Sequence, residues 1–405
     1  MKNKTQTHLF VVVSNFVIAT LIYAILVAEF AASLLIILAV VVALLVMDKY
    51  GIINKIFATY NRNKKYAIIS GIIMALIVPV SLTNKNYESH IACMALIYAI
   101  ACLGLNFQMG STDMVNFAPA AFMGIGAYSV AITTTKLHLS PWLGMLFGVA
   151  CSALFALLVG VPTLRTKGYY LSLVTMAVQL AFTQLLYNLP VLGGANGISG
   201  VGRFGIGKGF SFYKSYTIAG IKFAPQVPYL LLCAAFLIFF CYVAMRIYYS
   251  RTGLSLNMIS QDDIAANCLG VNVANQKLVA FIIGGVFCGA AGALFAGLNS
   301  YVGPEGFNFN RSLMLICMVI LGGMDNSIGV IVGAFLLSII SEKLRDFADY
   351  QQLVYGAILV ITLIVRPNGL IPKRVRDYCG ITGRTPAILS SAALAGGEKE
   401  KEGSV

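Results

Sequence analysis

Residues 89–135 read SHIACMALIYAIACLGLNFQMGSTDMVNFAPAAFMGIGAYSVAITTT, and this stretch decides the fold class. It holds two charge-free apolar windows, 89–112 and 114–135, and Asp113 is the only carboxylate in it. A membrane-spanning helix needs about 20 apolar residues, so each window is long enough to cross a bilayer. Polar residues, Pro and Gly interrupt the stretch where the windows meet, which predicts two spans with a helix break between them.

Ten further charge-free windows occur along the chain. Seven are long and three are short and interrupted by glycine, which predicts broken or tilted helices in the short ones. The long windows are 9–28, 30–47, 66–84, 137–164, 168–189, 223–245 and 278–304, and the short windows are 312–324, 326–341 and 350–365. Small residues are frequent in 282–297, and their spacing favours close helix packing over solute contact.

The amino-acid composition is that of a protein with many membrane-spanning segments. Of 405 residues, 59% are hydrophobic and 11% are charged, against about 45–50% and about 25% in soluble domains. A soluble enzyme could not cover its surface with so few charges. The sequence therefore predicts an all-α polytopic membrane protein with 10–12 transmembrane helices.

The predicted organisation has three parts. Residues 1–66 form an N-terminal transmembrane hairpin and a basic cytoplasmic linker, residues 67–372 form the membrane core, and residues 373–405 form a polar, disordered cytoplasmic tail. If the N-terminus is cytoplasmic and the twelve segments alternate, 19 of the 28 Lys and Arg residues lie inside. Both termini are then predicted to be cytoplasmic, as the positive-inside rule prefers. The net charge of +13 thus indicates membrane orientation and not nucleic-acid binding.

Polar residues inside a membrane are costly and by default functional. The densest run surrounds the predicted helix break, and we interpret it as the lining of a solute pathway. Its members are Asn106, Gln108, Thr112, Asp113, Asn116 and Pro119. The alternative is that 107–113 is a short cytoplasmic turn and that Asp113 is a helix N-cap in water.

A second candidate lies in the cytoplasmic stretch 250–277. Asp262 and Asp263 begin a short helical pattern that contains Ala265 and Ala266, and Gly270 ends it as a C-terminal stop would. The helix is either a docking element for a cytoplasmic partner or a capped connector.

No catalytic residue and no metal-ligand cluster is predicted. The string GRFGIGKG at 202–209 imitates a phosphate-binding loop, but Gly209 stands where a Ser or Thr would hold magnesium, and topology places the string outside the cell. We therefore expect no cofactor on this chain, and any ATP that drives transport must be bound by partner subunits.

Several motifs, in order, resemble the permease subunits of bacterial ABC importers for branched-chain amino acids, and in particular the longer of that family's two permease types. The resemblance covers roughly residues 90–372. It rests on GLNFQMGSTDMVNFAPAAFMGIGAYSVAI (104–132), GYYLSLVTMAV (168–178), GGANGISG (193–200), RTG (251–253), DDIAANCLGVNVANQKLVAFIIGGVFCGAAGALFAG (262–297), MVILGGMDNSIGVIVGAFLL (318–337) and RPNGL (366–370).

The resemblance implies an importer permease fold in the bacterial plasma membrane. It also implies a heterodimer with a second permease subunit, two ATP-binding cassette subunits and an extracytoplasmic solute-binding protein. Permeases of this class dock into the ATPase through a Glu-Ala-Ala-x-x-x-Gly signature. Ala265, Ala266 and Gly270 match it, while Ile264 stands where the Glu would be, just after Asp262 and Asp263.

Two departures from the family pattern stand out, and the first leaves the solute open while the second leaves the details of the ATPase contact open. Many relatives have a His where this chain reads NFAPAAF, at or next to Pro119, and several Arg before the docking signature, where this chain has Leu254, Asn257 and Ser260. The leading hypothesis is uptake of branched-chain or related hydrophobic amino acids. The alternatives are a urea or short-chain amide permease of the same kind, and an ion-coupled secondary transporter that uses Asp113.

Overall fold

The fold was analysed in a computed structural model. The structure describes residues 85–163, 169–206, 210–212, 216–218, 221–223, 226–345, 348–365 and 369–371, together with isolated positions between 16 and 43. The predicted window 66–84, most of the windows 9–28 and 30–47, most of the predicted 1–66 unit and the whole 373–405 tail lie outside the described residues.

The described chain is a bundle of helices. We number them α1 to α11 in chain order: α1 Asn86–Thr112, α2 Pro119–Thr135, α3 Pro141–Thr163, α4 Tyr169–Asn188, α5 Val227–Tyr248, α6 Arg251–Ile259, α7 Asp263–Cys268, α8 Val273–Asn299, α9 Phe309–Gly322, α10 Ser327–Lys343 and α11 Ala348–Val365.

Helices α1 and α8 form the centre of the bundle. Helix α8 packs against α1, α2 and α3, and α1 also packs against α5 and α10. Glycines allow these close approaches: a Cβ at Gly126 or Gly292 would collide with the backbone of Gly289 or Met123. The small residues of 282–297 therefore pack helices together, as the sequence predicts.

The outer helices α3, α4 and α5 keep apolar faces exposed. Leu146, Leu154 and Leu158 of α3 are each about two-thirds exposed. Within the described residues, five helices are long and apolar enough to cross a bilayer, which are α1, α3, α4, α5 and α8. Exposed leucines on long apolar helices suit contact with lipid and not with water, and the all-α polytopic fold is confirmed.

Short strands cap one end of the bundle. They are β1 Ile198–Ser199, β2 Gly205–Ile206, β3 Phe210–Ser211, β4 Tyr216–Ile218, β5 Ile221–Phe223 and β6 Tyr301–Val302. The pairs β1–β6, β2–β3 and β4–β5 are all antiparallel. Helices α6 and α7 lie at the other end, between α5 and α8, and we call the two ends the strand end and the α7 end.

The three short windows form helices, and the first of them forms a short one, as its interrupted sequence predicts. Helix α9 has 14 residues, and its Arg311 contacts Tyr98, the thirteenth residue of the 27-residue α1. Helix α9 therefore begins beside the middle of α1 and crosses only part of the bundle. Helices α10 and α11 coincide with the other two short windows.

Candidate functional site

The predicted break in the helix lies between α1 and α2. Helix α1 ends at Thr112, and Asp113 caps it in the left-handed conformation with φ of 53°. Helix α2 begins only at Pro119, which supplies the pre-set φ and needs no N–H partner. The alternative that 107–113 is a turn and that Asp113 is an N-cap is wrong, because residues 107–112 continue α1 and Asp113 follows its last turn.

Three buried amides lie beside the break, where Gln108 and Asn116 bond to each other and Asn106 and Gln108 bond to neighbouring helices. Asn106 donates to the Tyr248 hydroxyl at 2.8 Å and accepts from the Asp325 N–H at 2.7 Å. Gln108 donates to the Phe281 carbonyl at 3.0 Å and accepts from Asn116 at 2.7 Å. We call Asn106, Gln108 and Asn116 the amide layer.

The amide layer is dry and its polar atoms are engaged. Its three side chains are at most 1% exposed. The side-chain oxygen of Asn116 accepts from the Ala118 N–H at 2.8 Å. A buried amide that lost its partners would cost about 1–3 kcal/mol for each unmade bond. The layer therefore ties α1 to α5, α8 and the segment before α10, and it leaves no polar group facing a solute in this conformation.

The other predicted pathway residues play separate parts. The Thr112 hydroxyl donates to the Gln108 carbonyl of its own helix at 2.8 Å. Pro119 is buried at the start of α2, and Asp113 is exposed at the end of α1. The structure thus brings Asn106, Gln108 and Asn116 together and separates Asp113 from them.

Side chains of other helices cap the start of α2, and sequence reasoning missed them. The free N–H groups of a first helical turn need acceptors. Here the Ala120 N–H donates to Ser312 at 3.2 Å and the Ala121 N–H to Gln179 at 2.8 Å, and Phe117, just before the helix, donates to Thr175 at 3.0 Å. The signal for them in the sequence was weak: Thr175 and Gln179 are buried polar residues within the apolar window 168–189.

Helix α7 is closed at both ends by local hydrogen bonds. Asp262 accepts from the N–H groups of Ile264 and Ala265 at 2.8 and 3.1 Å. At the other end the Val271 and Gly270 N–H groups bond to the carbonyls of Ala266 and Asn267, the pattern that needs a left-handed residue. Gly270 supplies it with φ of 83°, so the predicted helix with Gly270 as its stop is confirmed.

The surface of α7 combines one anchor with exposed apolar groups. Ala266 is 2% exposed and holds the helix against the bundle, while Ile264 is 77% and Leu269 72% exposed. Asp263 forms an ion pair with Lys277 at the start of α8. Ile264 and Leu269 were not singled out from the sequence as contact residues, because α7 is too short for a hydrophobic pattern to show which face is free.

A polar cleft opens at the strand end, and the sequence analysis did not find it. It has a volume of about 710 Å³ and lies among α1, the start of α9, the end of α10 and the first turns of α11. Charged groups in its wall include Arg311, Glu305, Glu342 and Arg345. Arg311 is not among the predicted site residues, because it immediately precedes the apolar window 312–324, where a charge predicts the end of a span.

Comparison with known proteins agrees with this architecture. Residues 87–363 match the family model described as "Branched-chain amino acid transport system / permease component". The chain is 32% identical over 323 residues to the high-affinity branched-chain amino acid transport system permease protein LivM of Salmonella typhimurium, covering 76% of this chain and 75% of the relative. LivM of Escherichia coli gives the same identity and coverage.

A more distant relative is matched over most of its own length. It is the high-affinity branched-chain amino acid transport system permease protein BraD of Pseudomonas aeruginosa, 25% identical over 286 residues, with 68% of this chain and 92% of the relative covered. No solved structure matches the chain significantly. The family model spans well over half of the chain, and the apolar helices make it a multi-pass membrane protein. The chain belongs to the family of permease components of branched-chain amino acid transport systems.

Proposed function

We propose that this permease is the membrane-spanning subunit of an ABC importer that takes up branched-chain or related hydrophobic amino acids. The observation that carries the proposal is α7, a helix closed at both ends that presents Ile264 and Leu269 outside the bundle. Exposed apolar side chains on a small rigid element are typical of a binding surface. The names of LivM and BraD, which state branched-chain amino acid transport, support the solute class.

The proposed assembly has further subunits. A second permease completes a heterodimer, two ATP-binding cassette subunits dock on α7, and an extracytoplasmic solute-binding protein delivers the solute at the strand end. The partner subunits bind ATP, and this chain carries no cofactor of its own. The α7 end then faces the cytoplasm of a bacterial cell, with both termini on that side.

Few residues connect α7 to the amide layer, so a movement of α7 can be transmitted to it. Helix α6 joins α7 directly, and its buried Leu256 and Ile259 pack it beneath the bundle. Tyr248 ends α5 just before α6, stacks on Phe107 with ring centroids 4.3 Å apart, and accepts from Asn106. We propose that ATP binding shifts the population between two arrangements of this layer, and that the solute passes beside Asn106, Gln108, Thr112, Asn116 and Pro119 when the layer opens.

The complete importer in proteoliposomes tests the proposal. We expect ATP-dependent uptake of radiolabelled leucine, and we expect Ile264→Asp to lower it on the order of tenfold or more, since buried contact residues at interfaces are worth about 2 kcal/mol. Asn275→Asp is the matched control, because Asn275 is exposed at the start of α8, on the same side of the bundle. It adds the same charge and should leave uptake unchanged.

Two results would contradict parts of the proposal. Normal uptake by both Ile264→Asp and Ala266→Glu would show that the ATPase docks elsewhere. Uptake by the purified chain alone on an ion gradient would favour the ion-coupled transporter and remove the need for partner ATPases.

A further inference from the structure

The polar cleft places a cationic group deep within the bundle. Arg311 lies beside Tyr98, and thus beside the middle of α1, a helix of 27 residues and about 40 Å in length. A charged side chain at such depth is costly in a membrane protein and marks a solute path or a partner charge. The cleft connects Arg311 to the strand end through Asn299, Tyr301 and Gly303, which also line it.

Arg311 is held in place by neutral groups. Its guanidinium donates to the Tyr98 hydroxyl at 2.7 Å, and its central carbon lies 5.4 Å from the centroid of the Tyr98 ring. Tyr98 itself is 3% exposed. Within the described residues Arg311 forms no ion pair, whereas Arg345 at the rim pairs with Glu342 at 3.3 Å. The guanidinium fork of Arg311 thus keeps donors available for a carboxylate.

Apolar side chains form part of the wall of the cleft that holds Arg311. Ile91 and Met94 of α1, Phe295 of α8 and Met314 of α9 line the same cleft. A concave site of about 300–1,000 Å³ that combines apolar side chains with a few polar and charged groups is the usual form of a small-molecule site. An aliphatic amino acid carries both features that this wall would recognise, a carboxylate and a branched apolar side chain.

We propose that Arg311 binds the α-carboxylate of the amino acid as it enters the membrane, with the aliphatic side chain against Met94 and Met314. The inference rests on the proposed function and names the chemical group by which the permease itself recognises its solute. Tyr98 acts as a positioning residue. Urea and short-chain amides have no carboxylate, so this site selects against them.

The first test measures uptake and ATP hydrolysis together in the complete importer. We expect Arg311→Gln to lower uptake of leucine, delivered by saturated binding protein, on the order of tenfold, which matches the loss of one charge-assisted hydrogen bond. Stimulation of ATP hydrolysis by the loaded binding protein should change less than about twofold. Arg311→Lys should retain part of the uptake, because it keeps the charge but loses the fork. Arg246→Gln, on α5 and exposed, is the control.

The second test uses ligand-detected saturation-transfer NMR on the same complex without binding protein. The probes are leucine and leucinamide, which differ only at the carboxyl group. We expect the leucine signal to fall in Arg311→Gln and the leucinamide signal to be equal in both proteins. This readout does not depend on transport, so it tests Arg311 even if the importer fails to move leucine.

The outcomes separate the two proposals. Absence of leucine uptake by the wild-type importer would overturn the proposed function. Normal leucine uptake and an unchanged leucine signal in Arg311→Gln would overturn the carboxylate site. Loss of the second permease from the purified Arg311→Gln complex would also overturn it, because Arg311 would then be the partner of an acidic residue on that subunit.

Discussion

The amide layer and the polar cleft are two polar regions of the same bundle with opposite characters. The amide layer is almost completely buried, and each of its side chains makes hydrogen bonds through both oxygen and nitrogen. The cleft is open at the strand end, and its Arg345 and Asn310 are exposed. A polar residue in a membrane helix can therefore either hold helices together or face a solute, and its partners decide which.

The largest effect is expected where α1 approaches the segment before α10. A Cβ at Gly110 would lie 2.6 Å from the Asn106 amide oxygen and 2.7 Å from the Asp325 Cα. Because backbone cannot move aside, Gly110→Val should prevent recovery of folded protein, at a cost above about 3 kcal/mol. Size-exclusion chromatography of the detergent-solubilised protein measures this.

Gly356→Val is the matched control. Gly356 lies in α11, and a Cβ there would meet nothing within 4 Å. We expect this variant to be recovered like the wild type, since Val is a slightly better helix former than Gly. Equal recovery of both variants would show that the layer is loosely packed.

A pair of matched substitutions contrasts the two regions directly. Asn106→Leu removes the bonds to Tyr248 and to the Asp325 N–H and should lower the free energy of unfolding by about 2–3 kcal/mol. Asn310→Leu makes the same change on the exposed wall of the cleft and should alter it by about 0.5 kcal/mol or less. Thermal unfolding in detergent compares them, and similar losses would remove the distinction between the regions.

A small effect is also expected at the rim of the cleft. Arg345 pairs with Glu342, but its side chain is 76% exposed, so solvent screens the pair. Arg345→Gln should change the free energy of unfolding by less than about 1 kcal/mol, measured by the same thermal unfolding. A larger loss would mean that the rim charges contribute to stability as the amide layer does.

Helix positions were predictable from the sequence and helix ends less so. The windows 89–112 and 168–189 match α1 and α4 within a few residues, because apolar length alone defines a span. The window 278–304 is shifted by five residues from α8. The charge-free window begins only after Lys277, because a charged residue ends such a window. In the structure Lys277 lies within α8, and its side chain forms an ion pair with Asp263, outside the apolar stretch.

The candidate site was predicted in part. The amides of the layer stood out because they interrupt apolar windows, but their partners Tyr248, Phe281 and Asp325 come from distant helices that no local pattern connects to α1. Arg311 did not stand out in the sequence, because a charge normally marks the end of a span. Only the depth at which α9 begins, which depends on packing, places it inside the bundle.

The shared capping at the start of α2 limits how this protein can change shape. Thr175 and Gln179 belong to α4 and Ser312 to α9, yet all three accept from backbone N–H groups between Phe117 and Ala121. If α4 or α9 slid along α2 by a single turn, those donors would be left unmet in a dry interior. Helices α2, α4 and α9 should therefore travel as one rigid block, and the hinges of any transport cycle should lie outside it.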